Sequence, residues 1–192
     1  MSEEDFIAQL ICGDQSAYKL LVEKYGQKVF NNVLGFLQNN EDAEEITQDV
    51  FTEVFRSIHT FNRNALLSTW IYKISVNKSL DFLRRKNRKK RFSIFQNVFF
   101  NEEVRSAYET VNFYHPGVQL QNKEQSGILF SAIDKLPENQ KTAFILHKMD
   151  DLSYAQIADI MNVSVSSVES LMFRAKQNLQ KLLRDYYENN LK

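Results

Sequence analysis

Ser167, Ser170, Arg174, Gln177 and Lys181 recur at steps of three and four residues within SVSSVESLMFRAKQNLQKLL, Ser164 to Leu183. On a helix such steps bring side chains onto one face. That face offers hydroxyls, an amide and two cations, and no acid. Val168, Met172, Ala175, Leu179 and Leu182 take the opposite side. A second short helical pattern, LSYAQIADIM, precedes it, and Asn162-Val163 makes a turn between the two. Two short helices joined in this way form a helix-turn-helix, which sets its second helix in the DNA major groove. Serines permit close approach, and Arg174 and Lys181 can reach base edges or phosphates. The same spacing also fits an ordinary amphipathic helix with a solvated face.

Two further groups carry chemistry. STWIYKISVNKSLDFLRRKNRKK combines Trp70 and Tyr72, the amide of Asn77 and a basic run on one expected helix. Rings beside cations suit single-stranded nucleic acid, because bases stack on rings while Lys and Arg hold the backbone. Trp70 fits a core position equally well. DAEEITQDVFTEVF differs in kind: Asp42, Glu45, Gln48 and Asp49 cluster near one helix end. Such a patch repels DNA and suits a basic protein partner. Alone it reads as a solvated acidic face.

Composition sets the frame for these groups. In 192 residues there are only 5 Gly and 2 Pro, with 43% hydrophobic content. Few turn formers and ample apolar residues favour long helices over a β protein. Cys12 is the one cysteine, so no internal disulfide forms; it sits in FIAQLIC and is expected to pack as a small hydrophobe. His59, His115 and His147 lie far apart, so no metal site is expected, and neither is a cofactor. A Gly-rich phosphate loop and a nucleophile–base pairing are both missing, which argues against an enzyme. The acidic start MSEEDFIAQL lacks the parts of a signal peptide, and no apolar run reaches membrane-spanning length. The expected location is the cytoplasm.

The net charge of zero conceals an asymmetry. Met1 to Leu83 holds 7 Lys/Arg against 12 Asp/Glu, whereas Arg84 to Arg91, RRKNRKKR, holds 7 basic residues and no acid. A concentrated basic block can bind phosphate locally whatever the overall charge.

The elements that must position these groups are helical. Three- and four-residue apolar steps run through FIAQLIC and then from Tyr18 to Leu37, with Gly13-Asp14 as the break. Asn and acids open a third helix, whose stripe is Ile46, Val50, Val54 and Ile58. FNRNALL reads as a loop, and Ser68 as the cap of the next helix. Phe92 to Gly117 has poor periodicity and ends on the turn signal YHPG, yet is rich in aromatics. Beyond it, Pro137 is expected at the first position of a helix. Ser153 with Gln156 forms a capping box, and Ser164 caps the last helix. The fold is thus expected to be all-α: two small helical domains, 1–91 and 118–192, joined by a linker, 92–117, with a four-helix C-terminal domain containing the helix-turn-helix.

Three ordered stretches, DAEEITQDVF, STWIYKISVNKSLDFLRR and LPENQKTAFILHKMDDLSYAQIADIMNVSVSSVESLMFRAKQNL, resemble bacterial sigma factors of the extracytoplasmic-function (ECF) group. The resemblance implies that the chain binds core RNA polymerase through its clamp coiled coil and flap, and directs promoter-specific initiation. Asp42, Glu45, Gln48 and Asp49 would meet polymerase. Phe61, Asn62, Arg63, Asn64, Trp70, Lys73, Asn77, Arg84 and Arg85 would recognise and melt the −10 element. The C-terminal helix would read the −35 element as duplex, and an anti-sigma protein is an expected partner; no small-molecule substrate is.

The chain departs from the family at Glu169 and Leu171, where basic residues are common. Fewer cations weaken the phosphate term, and Glu169 can instead accept from a cytosine amino group. Ser166, Ser167, Ser170, Arg174 and Lys181 then become the expected −35 contacts. ALLST before Trp70 stands where an aromatic is common. A stand-alone helix-turn-helix regulator is the alternative, and it leaves the first two motifs unexplained.

Overall fold

The computed structural model describes residues 2–62, 65–99 and 123–190, and all regular structure among them is helical. The first group comprises α1 (Glu3–Ile11), α2 (Gln15–Leu37), α3 (Asn40–Ser57) and α4 (Leu67–Phe99), with a 3-10 turn at Ile58–Thr60. The second comprises α5 (Lys123–Asp134), α6 (Glu138–Lys148), α7 (Tyr154–Met161) and α8 (Val165–Asn190).

Local chemistry sets most helix starts. Ser2 and Asp5 form a reciprocal capping box on α1. The Asp14 carboxylate accepts from the amides of Ser16 and Ala17 at the start of α2. The Asn39 side chain accepts from the Asp42 amide at 2.8 Å and opens α3. Ser153 and Gln156 form the expected box on α7. The Ser164 hydroxyl accepts from the Ser167 amide at 3.2 Å, capping α8. Helix α2 ends on Gln38 at φ 54°, a left-handed residue that stops the helix and turns the chain toward α3.

In the N-terminal group α2, α3 and α4 pack on one another, and α1 lies across α2. Ile46, Val50 and Val54 of α3 are buried as the stripe required, against Leu21, Val29 and Val33 of α2 and Ile71 of α4. In the C-terminal group α5, α6 and α7 rest on α8. Val168, Met172, Ala175 and Leu179 are its buried stripe.

Four expectations shift. Cys12 is exposed, because α1 ends there and Gly13, at φ 77°, turns the chain away from the core. Ser68 lies inside α4, which starts one residue earlier. Pro137 precedes the first turn of α6 and serves as its N-cap. Helix α4 also runs beyond Arg91 to Phe99, since Lys and Arg have high helix propensity and the basic run holds no Gly or Pro. The rest of the expected linker, 100–117, lies outside the described residues.

The two groups touch. Helix α6 packs against α2, and α7 against α4. The Lys141 ammonium donates to the Phe36 carbonyl at 3.1 Å and pairs with Asp134. The Gln38 amide donates to the Phe130 carbonyl at 3.3 Å. The C-terminal end of α2 is therefore the dock for the second group.

Removing a buried branched side chain leaves a cavity the surrounding helices fill only in part. Ile46→Ala should cost about 2–5 kcal/mol. Urea denaturation should show a lower midpoint with an unchanged slope.

Candidate nucleic-acid and protein interface

Helix α3 turns its apolar stripe inward and so turns its acids outward. Glu45, Gln48 and Asp49 are exposed, and Asp42 is half-buried. Asp42, Glu45 and Asp49 follow helical spacing, so they share one face. The Lys86 ammonium of α4 meets the Asp42 carboxylate at 2.6 Å. Beside this acidic strip stands Phe55, 56% exposed, with the edge of Tyr18 against it at a ring-centroid distance of 4.7 Å. Phe55 lies outside the buried stripe of Ile46, Val50 and Val54. Acids bordered by an exposed ring make a surface for a protein rather than for a nucleic acid.

Helix α4 places Trp70, Lys73, Asn77 and Arg84 along one side, at steps of three, four and seven residues. Lys73, Asn77, Arg84 and Arg85 are exposed. Trp70 is half-buried, its ring 5.5 Å from that of Phe61. Phe61 itself is buried and braces Trp70 from below. Asn62 is exposed, whereas Arg63 and Asn64 lie outside the described residues. Leu66, 56% exposed, stands at the end of the same loop. Arg84 is not idle here: it makes a two-pronged contact with Glu138 of α6, at 2.6 and 3.2 Å, and another with Asp81. A phosphate would have to compete for it.

Helices α7 and α8 meet across Asn162, Val163 and Ser164. Asn162 adopts φ 54°, a left-handed geometry that Asn tolerates and most residues do not. Its amide and that of Val163 both donate to the Ala158 carbonyl region, closing α7. The turn leaves Ser166, Ser167, Ser170, Arg174 and Lys181 exposed together on the outer side of α8. Ser164 also meets the hydroxyls of Ser166 and Ser167 at 3.0 and 2.8 Å. Sequence reasoning missed Phe173. It is 62% exposed and lies between Ser166 and Gln177 on the same face. A large ring in water at that place is the signal, because an exposed aromatic on a groove-entering helix can lie against a thymine methyl.

Among the described residues no group of His, Cys, Asp and Glu could hold a metal ion, and no helix is long and apolar enough to cross a membrane.

Comparison with known proteins agrees with this layout. Residues 21–89 match Sigma-70 region 2, and residues 126–179 match Sigma-70 region 4. The chain is 30% identical over 181 residues to the ECF RNA polymerase sigma-E factor of Haemophilus influenzae, covering 94% of each. It is 31% identical over 187 residues to the ECF RNA polymerase sigma factor SigW of Bacillus subtilis, covering 93% of this chain and 95% of that one. The chain belongs to the ECF RNA polymerase sigma factors. In this ECF chain the region 2 match runs from within α2 to within α4, and the region 4 match from within α5 to within α8. Two solved structures share the fold. CnrH, in complex with the cytosolic domain of CnrY, aligns with TM-score 0.65 at 20% identity, over 94% of this chain and 96% of that one. RpoE of Bartonella quintana, in complex with the anti-sigma factor NepR, aligns with TM-score 0.65 at 21% identity, over 87% and 96%.

The orientation of α8 depends on its first turn. Ser164→Ala removes the hydroxyl that satisfies the Ser167 amide and should lower stability by about 1 kcal/mol. Thermal unfolding followed by circular dichroism measures that loss.

Proposed function

We propose that this ECF chain binds core RNA polymerase and directs it to promoters. In this reading the acidic face of α3, with Asp42, Glu45, Gln48 and Asp49, docks on polymerase. The α4 side carrying Trp70, Lys73, Asn77, Arg84 and Arg85, together with Asn62, Arg63 and Asn64 and with buried Phe61 bracing Trp70, engages the opened −10 element. The outer face of α8, with Ser166, Ser167, Ser170, Arg174 and Lys181, reads the −35 element as duplex. Phe173 joins that set.

The observation that supports the reading is two exposed helix faces of unlike chemistry on one chain, one ring-and-cation and the other small and polar. Helix α4 offers a ring beside cations, which suits separated strands. Helix α8 offers small polar residues around a groove-entering helix, which suits intact duplex. A free-standing helix-turn-helix regulator has use for only the second. Unpairing costs a few kcal/mol, offset by contacts to the displaced base and backbone. The chain has no chemistry of its own to perform; it is a specificity factor for polymerase, and not an enzyme.

Alone the chain should hold DNA weakly. Its net charge is zero and α3 is acidic, so little long-range field draws it to DNA, and the basic block from Arg84 to Arg91 acts only at contact. Polymerase would also set the distance between the two DNA faces. An anti-sigma protein is the proposed inhibitory partner, as the family implies, and the cytoplasm is where such a factor would act.

Run-off transcription with core polymerase on a promoter selected from genomic fragments tests the reading. Wild type should give discrete starts. Arg174→Ala should weaken −35 recognition by about 1–3 kcal/mol and Phe173→Ala by a similar or smaller amount. Neither should change binding to core. Starts that ignore the added chain would overturn the proposal.

A further inference from the structure

From Ser164 to Leu183, Glu169 is the one acid. It is exposed at the start of the second turn of α8. With Ser166 and Phe173 it follows helical spacing, so it stands at the edge of the serine face, beside the exposed ring. Helix stability gives it no task there. The first turn of α8, where the helix dipole favours an acid, holds none, and the Ser164 hydroxyl already satisfies the Ser167 amide. The residues three and four positions away are Val165, Ser166, Met172 and Phe173, none of them a cation. No ion pair reaches Glu169 among the described residues. The hydroxyls nearby are less free, since Ser166 and Ser167 meet Ser164 at 3.0 and 2.8 Å.

A carboxylate in the major groove faces acceptors almost everywhere. Guanine presents N7 and O6, thymine O4 beside its methyl, and adenine sets N7 next to its amino group. Cytosine alone offers an amino donor with no acceptor on its own edge. An acid therefore discriminates twice: it accepts from the cytosine amino group, and the other bases repel it. A serine hydroxyl, which both donates and accepts, excludes no base in this way. Phe173 lies four residues further on, about 6 Å along the helix, whereas stacked bases are about 3.4 Å apart. Carboxylate and ring thus reach positions within about two base pairs of each other.

We propose that Glu169 selects a cytosine in the −35 element by accepting a hydrogen bond from its N4 amino group, with the Phe173 ring against a thymine methyl within about two base pairs. The proposal rests on the reading of α8 as the −35 helix and adds to it the base that one side chain requires. Glu169 lowers the general attraction of α8 for DNA and confines what remains to sites that carry the right donor.

Transcription by core polymerase with the full chain, on promoters randomised through the −35 element and carrying a transcribed barcode, reads base preference position by position. Wild type should favour cytosine over the other bases at one position by about fivefold or more. Glu169→Gln should move that position to adenine, because a glutamine amide pairs with adenine N6 and N7. Glu169→Ala should leave the position indifferent while preferences elsewhere in the element persist. Gln and Ala are both good helix formers at an exposed site, and circular dichroism checks that helix content is kept. An acid that only repels phosphate predicts something else: both variants would transcribe more from every promoter, with the wild-type preference intact. That result would sink the assignment of Glu169 and leave the −35 reading of α8 standing. An added chain that enriches no −35 sequence at all would remove the reading of α8, and this proposal with it.

Discussion

The docking of the second helical group on the C-terminal end of α2 governs the rest of the structure. Asn32, Phe36 and Gln38 lie within two turns of one another, and each reaches a different part of that group. Two of the contacts involve ionisable partners, Lys141 and Asp150, placed where water is scarce. Such contacts specify one arrangement more than they stabilise it, since desolvation consumes much of the attraction. An interface of this kind holds its register and can still come apart. A purely apolar seam of equal size would resist separation more strongly.

The same design divides labour among the helices. Each of α3, α4 and α8 gives one stripe to the core and leaves the opposite side to solvent, and the solvent sides differ in kind. On α3 it is acidic, on α4 aromatic and basic, and on α8 small, polar and acid-poor. The core thus fixes where each surface points without dictating its chemistry. Change at Glu169, Leu171 or Phe173 can alter what α8 recognises while Val168, Met172 and Ala175 keep the helix in place.

What was legible in the sequence was local. Ser153 with Gln156, Ser164 before Ser167, and Asn39 before Asp42 announce helix starts because the bonded partners lie three residues apart. The stripes of α3 and α8 were legible for the same reason. The junction was not, because Asn32 and Asp150 are 118 residues apart and Lys141 and Phe36 are 105 apart. No periodicity links such pairs. Cys12 misled because an apolar pattern does not reveal that its last member falls beyond the final turn. Phe173 was overlooked because a ring in a polar stripe looks like noise until its exposure is known. The basic run after Arg84 marked a change in composition, and α4 passes through it without a break in the backbone.

The claim on which function depends is that the exposed acids of α3 recognise core polymerase, with the DNA faces acting only once that contact is made. Size-exclusion chromatography of the full chain mixed with core polymerase measures it directly. A one-to-one complex is expected for wild type, and a charge-reversed Asp49→Lys chain, folded but separated from polymerase on the column, is expected beside it. A wild-type chain that elutes apart from polymerase, or an Asp49→Lys chain that binds as well as wild type, would contradict the claim.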